Sequence, residues 1–168
     1  MANVSAQYRA SSNLTVTNLH GIASSSTWVA GWTSATIDNT ADLDLDKLVS
    51  GSFVVESSGL AAGEIRVYVY AMLDDTTWPD IFSSGTEGTQ GTATLHDTEI
   101  RDSLKLLWAQ STDTTASRVY PMQSASVAAR FDGVLPPKFA LFVTQSTGTT
   151  LETTGNQVTV KGYKATVA

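Results

Sequence analysis

Three aspartates at alternate positions, Asp42, Asp44 and Asp46, have the spacing with which an EF-hand loop begins to coordinate calcium. The rest of such a loop is missing. Its sixth position would be Lys47 where a glycine makes the turn, and its twelfth Phe53 where a glutamate closes the shell. The better account is a strand with Leu43 and Leu45 turned inward and the carboxylates in water. Gly85, Gly88 and Gly91 in SGTEGTQGT superficially match a phosphate-cradling loop, but neither Gly-Lys-Ser/Thr nor a helix start follows. His20 and His96 lie in no H-x-x-x-H and beside no G-x-S-x-G elbow, so zinc-protease and serine-hydrolase chemistry has no local support, and His96-Asp97 reads as a solvated pair. Glu64 with Asp74 or Asp75 would supply the two carboxylates of glycoside hydrolysis, as pairs in any acidic β-protein would. Trp78 beside Pro79 is a candidate sugar-stacking platform; the plainer reading puts Trp28, Trp32 and Trp108 in a core and has Trp78 pin its own loop.

Whatever these groups do must be built on β-structure. With 24 threonines and 19 serines against 26 charged residues the surface is largely hydroxylic, which favours strands. Cysteine is absent, excluding disulfides and thiolate metal sites and fitting a reducing compartment. A net charge of −6 with scattered Lys and Arg argues against nucleic acid, and the lack of a signal-like start or of an apolar span argues against export and membrane insertion. No cofactor is expected.

The clearest element is Gly63 to Leu73. Ile65, Val67, Val69, Ala71 and Leu73 line one face, and Glu64, Arg66, Tyr68, Tyr70 and Met72 the other, the pattern of a central strand. Leu48 to Glu56 is a strand, and the short SSGLAAG connection pairs it antiparallel with Gly63 to Leu73. Residues 1–26 read as an arm with one strand signal at Asn13 to Thr17 and a Ser24-Ser25-Ser26 hinge. Thr27 to Asp38 is an early strand with a bulge at Gly31. Residues 74–98 show no period and read as a long Gly-rich loop anchored by Trp78, Ile81 and Phe82. In Glu99 to Gln110 a turn precedes a strand from Leu104 to Ser111; Arg118 to Gln123 is a short strand, and Ser124 to Ala129 one helical turn.

Val134 to Ala168 opens on Leu-Pro-Pro, which forces an extended start to Lys138 to Gln145; Thr147-Gly148 and Gly155-Asn156 then supply turns. With the preceding SVAARFDG, and with GWTSATIDNT and LVSGSFVVES upstream, this region resembles the C-terminal half of small jelly-roll virion proteins of tailed bacteriophages, of the capsid decoration or cement type. The resemblance covers about two thirds of the chain, mostly Trp32 to Leu73 and Ser126 to Tyr163. It implies a structural role on the virion, reached from the host cytoplasm, with the major capsid protein as partner, and it carries over no catalytic residue.

The expected fold is an all-β, jelly-roll-like antiparallel β-sandwich (27–168) with an extended N-terminal arm (1–26) and one long Gly-rich loop. A phage-capsid protein without enzymatic activity is the leading function, and a glycan-binding module of a tail fibre or baseplate the alternative. Arg66, Tyr68, Tyr70 and Met72, with Trp78 and Phe82, form the candidate interface, because so small a sandwich has few layers to cover them. A homotrimer is expected, with residues 1–26 or 74–98 touching the capsid.

Overall fold

A computed structural model describes residues 3–56 and 61–167. Its elements are β1 (Val4–Asn13), β2 (Ala30–Thr33), β3 (Ile37–Asp38), β4 (Asp46–Val54), β5 (Gly63–Ala71), β6 (Phe82–Ser84), β7 (Gly91–Leu95), α1 (Thr98–Ser103), β8 (Lys105–Thr112), β9 (Val119–Ser126), a 3₁₀ turn at Ala128–Arg130, β10 (Lys138–Gln145) and β11 (Gln157–Val167). They form two antiparallel sheets. The small one has the order β1-β11-β4-β9; the large one contains β2-β10-β5-β8, extended beyond β2 by β7 and β6, with β3 pairing the start of β10. Two four-strand sets in this order are the double Greek key of an eight-stranded jelly roll.

The core lies between the sheets. Ile65, Val67 and Val69 of β5 meet Phe139, Leu141 and Val143 of β10 there, facing Val49 and Phe53 of β4 and Val158 and Val160 of β11. Trp32, Phe53, Phe139 and Leu141 are wholly buried, each worth about 1.5–3 kcal/mol of apolar transfer. Gly31 in β2 owes its identity to crowding, since a Cβ there would fall 2.1 Å from the Val143 carbonyl oxygen. Close approach to β10, not a bulge, explains this glycine.

Four expectations are corrected. β4 and β5 do not pair: β4 lies between β11 and β9, and β5 between β10 and β8, so the connection crosses from one sheet to the other. Residues 57–60 of the expected Ser-Ser-Gly turn lie outside the described residues. The N-terminal segment is built into the sandwich. Its strand is Val4–Asn13, upstream of the expected one, and pairs with β11 from Val4↔Val167 to Asn13↔Thr159, while Leu19 and Ile22 enter the core. Residues 74–98 are not one long loop: β6 and β7 form a hairpin whose second strand pairs with β2. Leu43 and Leu45 point outward, 74% and 54% exposed, and Asp44 is buried. Leu43 has φ +50°, so the stretch is a turn and the alternation of a strand does not apply.

Candidate functional site

The second apolar cluster settles where the candidate interface residues go. Tyr68 and Tyr70 project from the outer side of β5, next to Ala140 and Phe142 of β10. The 74–98 excursion folds over them. Phe82 stands edge-on to Tyr70 at 5.8 Å, Trp78 packs on the same ring at 5.4 Å, and Ile81, Leu95 and Leu104 complete the layer. The Tyr70 hydroxyl is within 2.7 Å of the Thr33 hydroxyl and accepts from the Gly88 N–H at 3.1 Å. Burial pushes its pKa up. Tyr68, Tyr70 and Phe82 are therefore internal residues and offer no docking surface on the chain. Their mixed face found its second layer within the same molecule.

Arg66, Met72 and Trp78 stay partly exposed. Arg66 lies over the Trp28 indole at 4.0 Å and donates to Glu64 at 2.5 Å and to the Tyr68 hydroxyl at 3.3 Å. Met72 lines a groove of about 300 Å³ with Tyr70, Leu73, Ile81, Leu104 and Phe131.

The groups with possible chemistry do not converge. Glu64 sits at the start of β5 and Asp74 beyond its end, roughly 30 Å apart along an extended chain, too far for a glycosidase pair. His96 Nε2 is 3.3 Å from Asp80, Asp97 caps α1 by accepting from the Ile100 N–H, and His20 Nδ1 is 3.1 Å from the Asn156 amide. Gly85 and Gly88 make the β6–β7 turn at φ +106° and +67°. Among the described residues, no group of three His, Cys, Asp or Glu could hold a metal.

What the aspartate run does build is an ion cluster. The Asp44 carboxylate, fully buried, receives Arg9 Nε at 2.6 Å and stands 2.9 Å from Lys47 Nζ. Lys47 also donates to Asp42 at 2.7 Å, holding that carboxylate below its ordinary range, and Arg9 Nη2 donates to the Asp42 carbonyl at 2.6 Å. The hydrogen bond to Asp44 raises the Arg9 pKa. Asn39 grips the Asp44 backbone at both ends, accepting from its N–H and donating to its carbonyl, each at 3.0 Å. A Cβ at Gly162 would lie 2.1 Å from Asp44 Oδ2, so β11 passes directly over the carboxylate. Two cations and two carboxylates balance. The arrangement acts as a clamp that fastens β1, through Arg9, to the turn before β4.

Sequence reasoning placed a contacting arm at residues 1–26 but missed that Val4–Asn13 is a strand. Nine of its ten residues are exposed and only Arg9 is half-buried. Because β4 pairs β11 no further than Tyr163↔Asp46, Val4–Gln7 and residues 164–167 run on past β4 as a two-stranded ribbon. The register places Ala6 beside Ala165 and Tyr8 beside Tyr163, with Val4 on the same side, an apolar face; Ser5, Gln7, Lys164 and Thr166 form the other. The Tyr8 and Tyr163 rings meet at 5.3 Å, and Lys161 lies over Tyr8 at 5.1 Å. A signal was available in the alternation of Val4, Ala6 and Tyr8 and in the lack of any Asp or Glu in residues 1–13 and 157–168.

Fold and surface together define a jelly-roll domain whose terminal strands pair on past β4. No protein-family model, curated protein or solved structure matches the chain.

Proposed function

We propose that this chain is a non-enzymatic structural protein of a tailed-bacteriophage particle, a decoration or cement protein that binds the major capsid protein and stabilises the capsid. It is made in the host cytoplasm, acts on the capsid surface and works as a homotrimer. The observation that carries the reading is the state of β1. Of the two segments expected to reach the capsid, 74–98 is packed down over Tyr70 and Phe142, whereas β1 is exposed along its length at the open margin of the small sheet. Such an edge offers unpaired N–H and C=O groups to a strand of another protein, the geometry of β-augmentation. The residues behind the resemblance also hold key places: Lys138–Gln145 is the central strand β10, and Gly155-Asn156 leads into β11, which binds both β1 and β4.

The test is binding of the purified protein to expanded capsids that lack it. Saturable, stoichiometric binding that protects the particles against heat is expected. A proline at Ser11, in the second half of β1, should abolish it while the sandwich core remains folded. The same protein applied to host surface glycans provides the contrast. Trp78 is half-buried against Tyr70, which gives the glycan reading no support, and glycan binding abolished by Trp78→Ala without capsid binding would overturn the proposal.

A further inference from the structure

The segment that follows β1 folds over one margin of the core and leaves a cleft there that the reading above does not use. Leu19 and Ile22 enter the core, and the turn around them faces β2 and β7 across a space of about 410 Å³, a volume in the range of small-molecule sites. The register of β2 with β7 sets Ala30 beside Thr94 and Trp32 beside Thr92, so both threonines stand on the face that Trp32 turns towards the core.

The walls are held by hydrogen bonds. Gln90, oriented so that its amide oxygen accepts from Trp32 Nε1 at 3.0 Å and from the Asn18 N–H at 3.2 Å, ties the 17–23 segment to the start of β7. On the opposite wall the Val54 N–H donates to Asn156 Oδ1 at 2.9 Å, which turns Asn156 Nδ2 towards the Glu152 carbonyl at 2.7 Å and His20 Nδ1 at 3.1 Å. An amide nitrogen only donates, so His20 Nδ1 accepts and the ring carries its proton on Nε2. Among the described residues that Nε2–H has no partner, and the hydroxyls of Thr17, Thr92 and Thr94 on the same lining have none either. The lining includes no Asp, Glu, Lys or Arg, in a chain with 26 of them. Small residues, Gly21, Ala23 and Ala30, leave the space open.

We propose that this cleft binds a neutral sugar ring, either free or at the end of a glycan chain. Sugar hydroxyls both donate and accept, so they can pair with the three threonines and accept from His20 Nε2, while the C–H groups of the ring meet Ile22 and Ala30. A charged ligand would enter without a counter-charge, and an apolar one would leave the Nε2–H without a partner. No aromatic side chain lines the cleft to stack on the ring, so a single sugar binds at millimolar affinity. The site is distinct from Trp78 and depends neither on the capsid partner nor on self-association.

Amide NMR of the full chain tests it, with glucose, galactose, mannose and N-acetylglucosamine as probes and glucuronic acid and glucosamine as charged counterparts. At least one neutral sugar should shift the Gly21, Ile22, Thr92 and Thr94 amides in a saturable way, and the charged sugars should not. Thr92→Val/Thr94→Val keeps the shape of the β7 wall without its hydroxyls and should weaken binding about tenfold, as should His20→Ala; Trp78→Ala should leave it unchanged. Circular dichroism checks the fold of each variant, and the threonine pair carries the test alone if His20→Ala is unfolded. Dextran, galactan and mannan distinguish the two sources: binding to a polysaccharide at least tenfold tighter than to its free sugar assigns the cleft to a glycan end, and equal binding assigns it to the free sugar. The proposal is overturned if no neutral sugar shifts these amides, if the shifts gather around Trp78, if the charged sugars bind as well, or if the threonine variant binds like wild type. Failure of capsid binding would overturn only the proposed function.

Discussion

Asp44→Ala probes the clamp that secures the first strand. The substitution removes a fully buried carboxylate from between Arg9 and Lys47 and leaves Lys47, whose side chain is 7% exposed, with Asp42 alone at 2.7 Å. Breaking a buried ion pair from one side costs roughly 3–5 kcal/mol. Lys47 keeps a partner and Arg9 is one-third exposed, so the low end applies, about 3 kcal/mol. With an unfolding entropy of roughly 2.1 cal/mol/K per residue, a chain of 168 residues should lose about 8 °C in Tm. Scanning calorimetry at neutral pH reads this directly. Hydrogen exchange should show the loss of protection starting in β1 and in the β11 amides opposite it. A fall of less than about 2 °C would refute the buried-clamp argument. Calcium that raised the Tm of wild type but not of the variant would replace the clamp with a metal site.

Three further outcomes follow from the packing and the titrating groups. Leu141→Asp places a lone carboxylate at a wholly buried position between the sheets and should cost several kcal/mol, enough to abolish a cooperative thermal transition. Tyr70→Phe strips the hydroxyl shared by Thr33 and Gly88 and should lower stability by about 1–2 kcal/mol, measured by urea denaturation at unchanged m-value. Asp74 is held down to about 2 by the N–H groups of Thr76 and Thr77, and Asp113 to about 2 by the Thr115 N–H and the Tyr120 hydroxyl, against an ordinary value of 3.8. Depressed carboxylates contribute stability that is complete above the ordinary value and disappears as pH falls towards 2. The Tm of wild type should thus decline from pH 4 to pH 2. Asp113→Asn should show a shallower decline, and an equal or steeper one would refute the assignment.

The legible parts of the fold were those in which one strand carries its own pattern. β5 and β10 alternate over eight or nine residues, and both reach the centre of the large sheet as their apolar faces require. The turn and the strand from Leu104 to Ser111 were readable and appear as α1 and β8, but the alternation of Leu104, Leu106 and Trp108 chose the wrong face: a register shift against β5 buries Leu107 in the core and leaves Leu106 exposed. Pairing was less legible. A short connection suits a hairpin, but it equally suits a chain crossing between the two sheets of a jelly roll, and only the full set of strands decides. β6 and β7 are three and five residues long and separated by glycines, too short to show a period. Asp44 was misplaced because its solvation comes from Arg9, thirty-five residues away. The same blindness put Tyr68 and Tyr70 on the surface, since their cover comes from a segment without any pattern.

β11 is the last described strand to leave the ribosome, yet it lies second in the small sheet and separates β1 from β4. Until it arrives, β1 has no neighbour to pair with, β4 presents a bare edge, and Val49 and Phe53 lack the wall formed by Val158 and Val160. Closing pairs such as Ser5 with Thr166 span almost the entire chain, the kind of distant contact that makes folding slow. Assembly of the small sheet therefore waits on β11. A nascent or truncated chain without β11 would carry two open strand edges at once, which makes the aggregation of stalled synthesis products a direct cost of this topology.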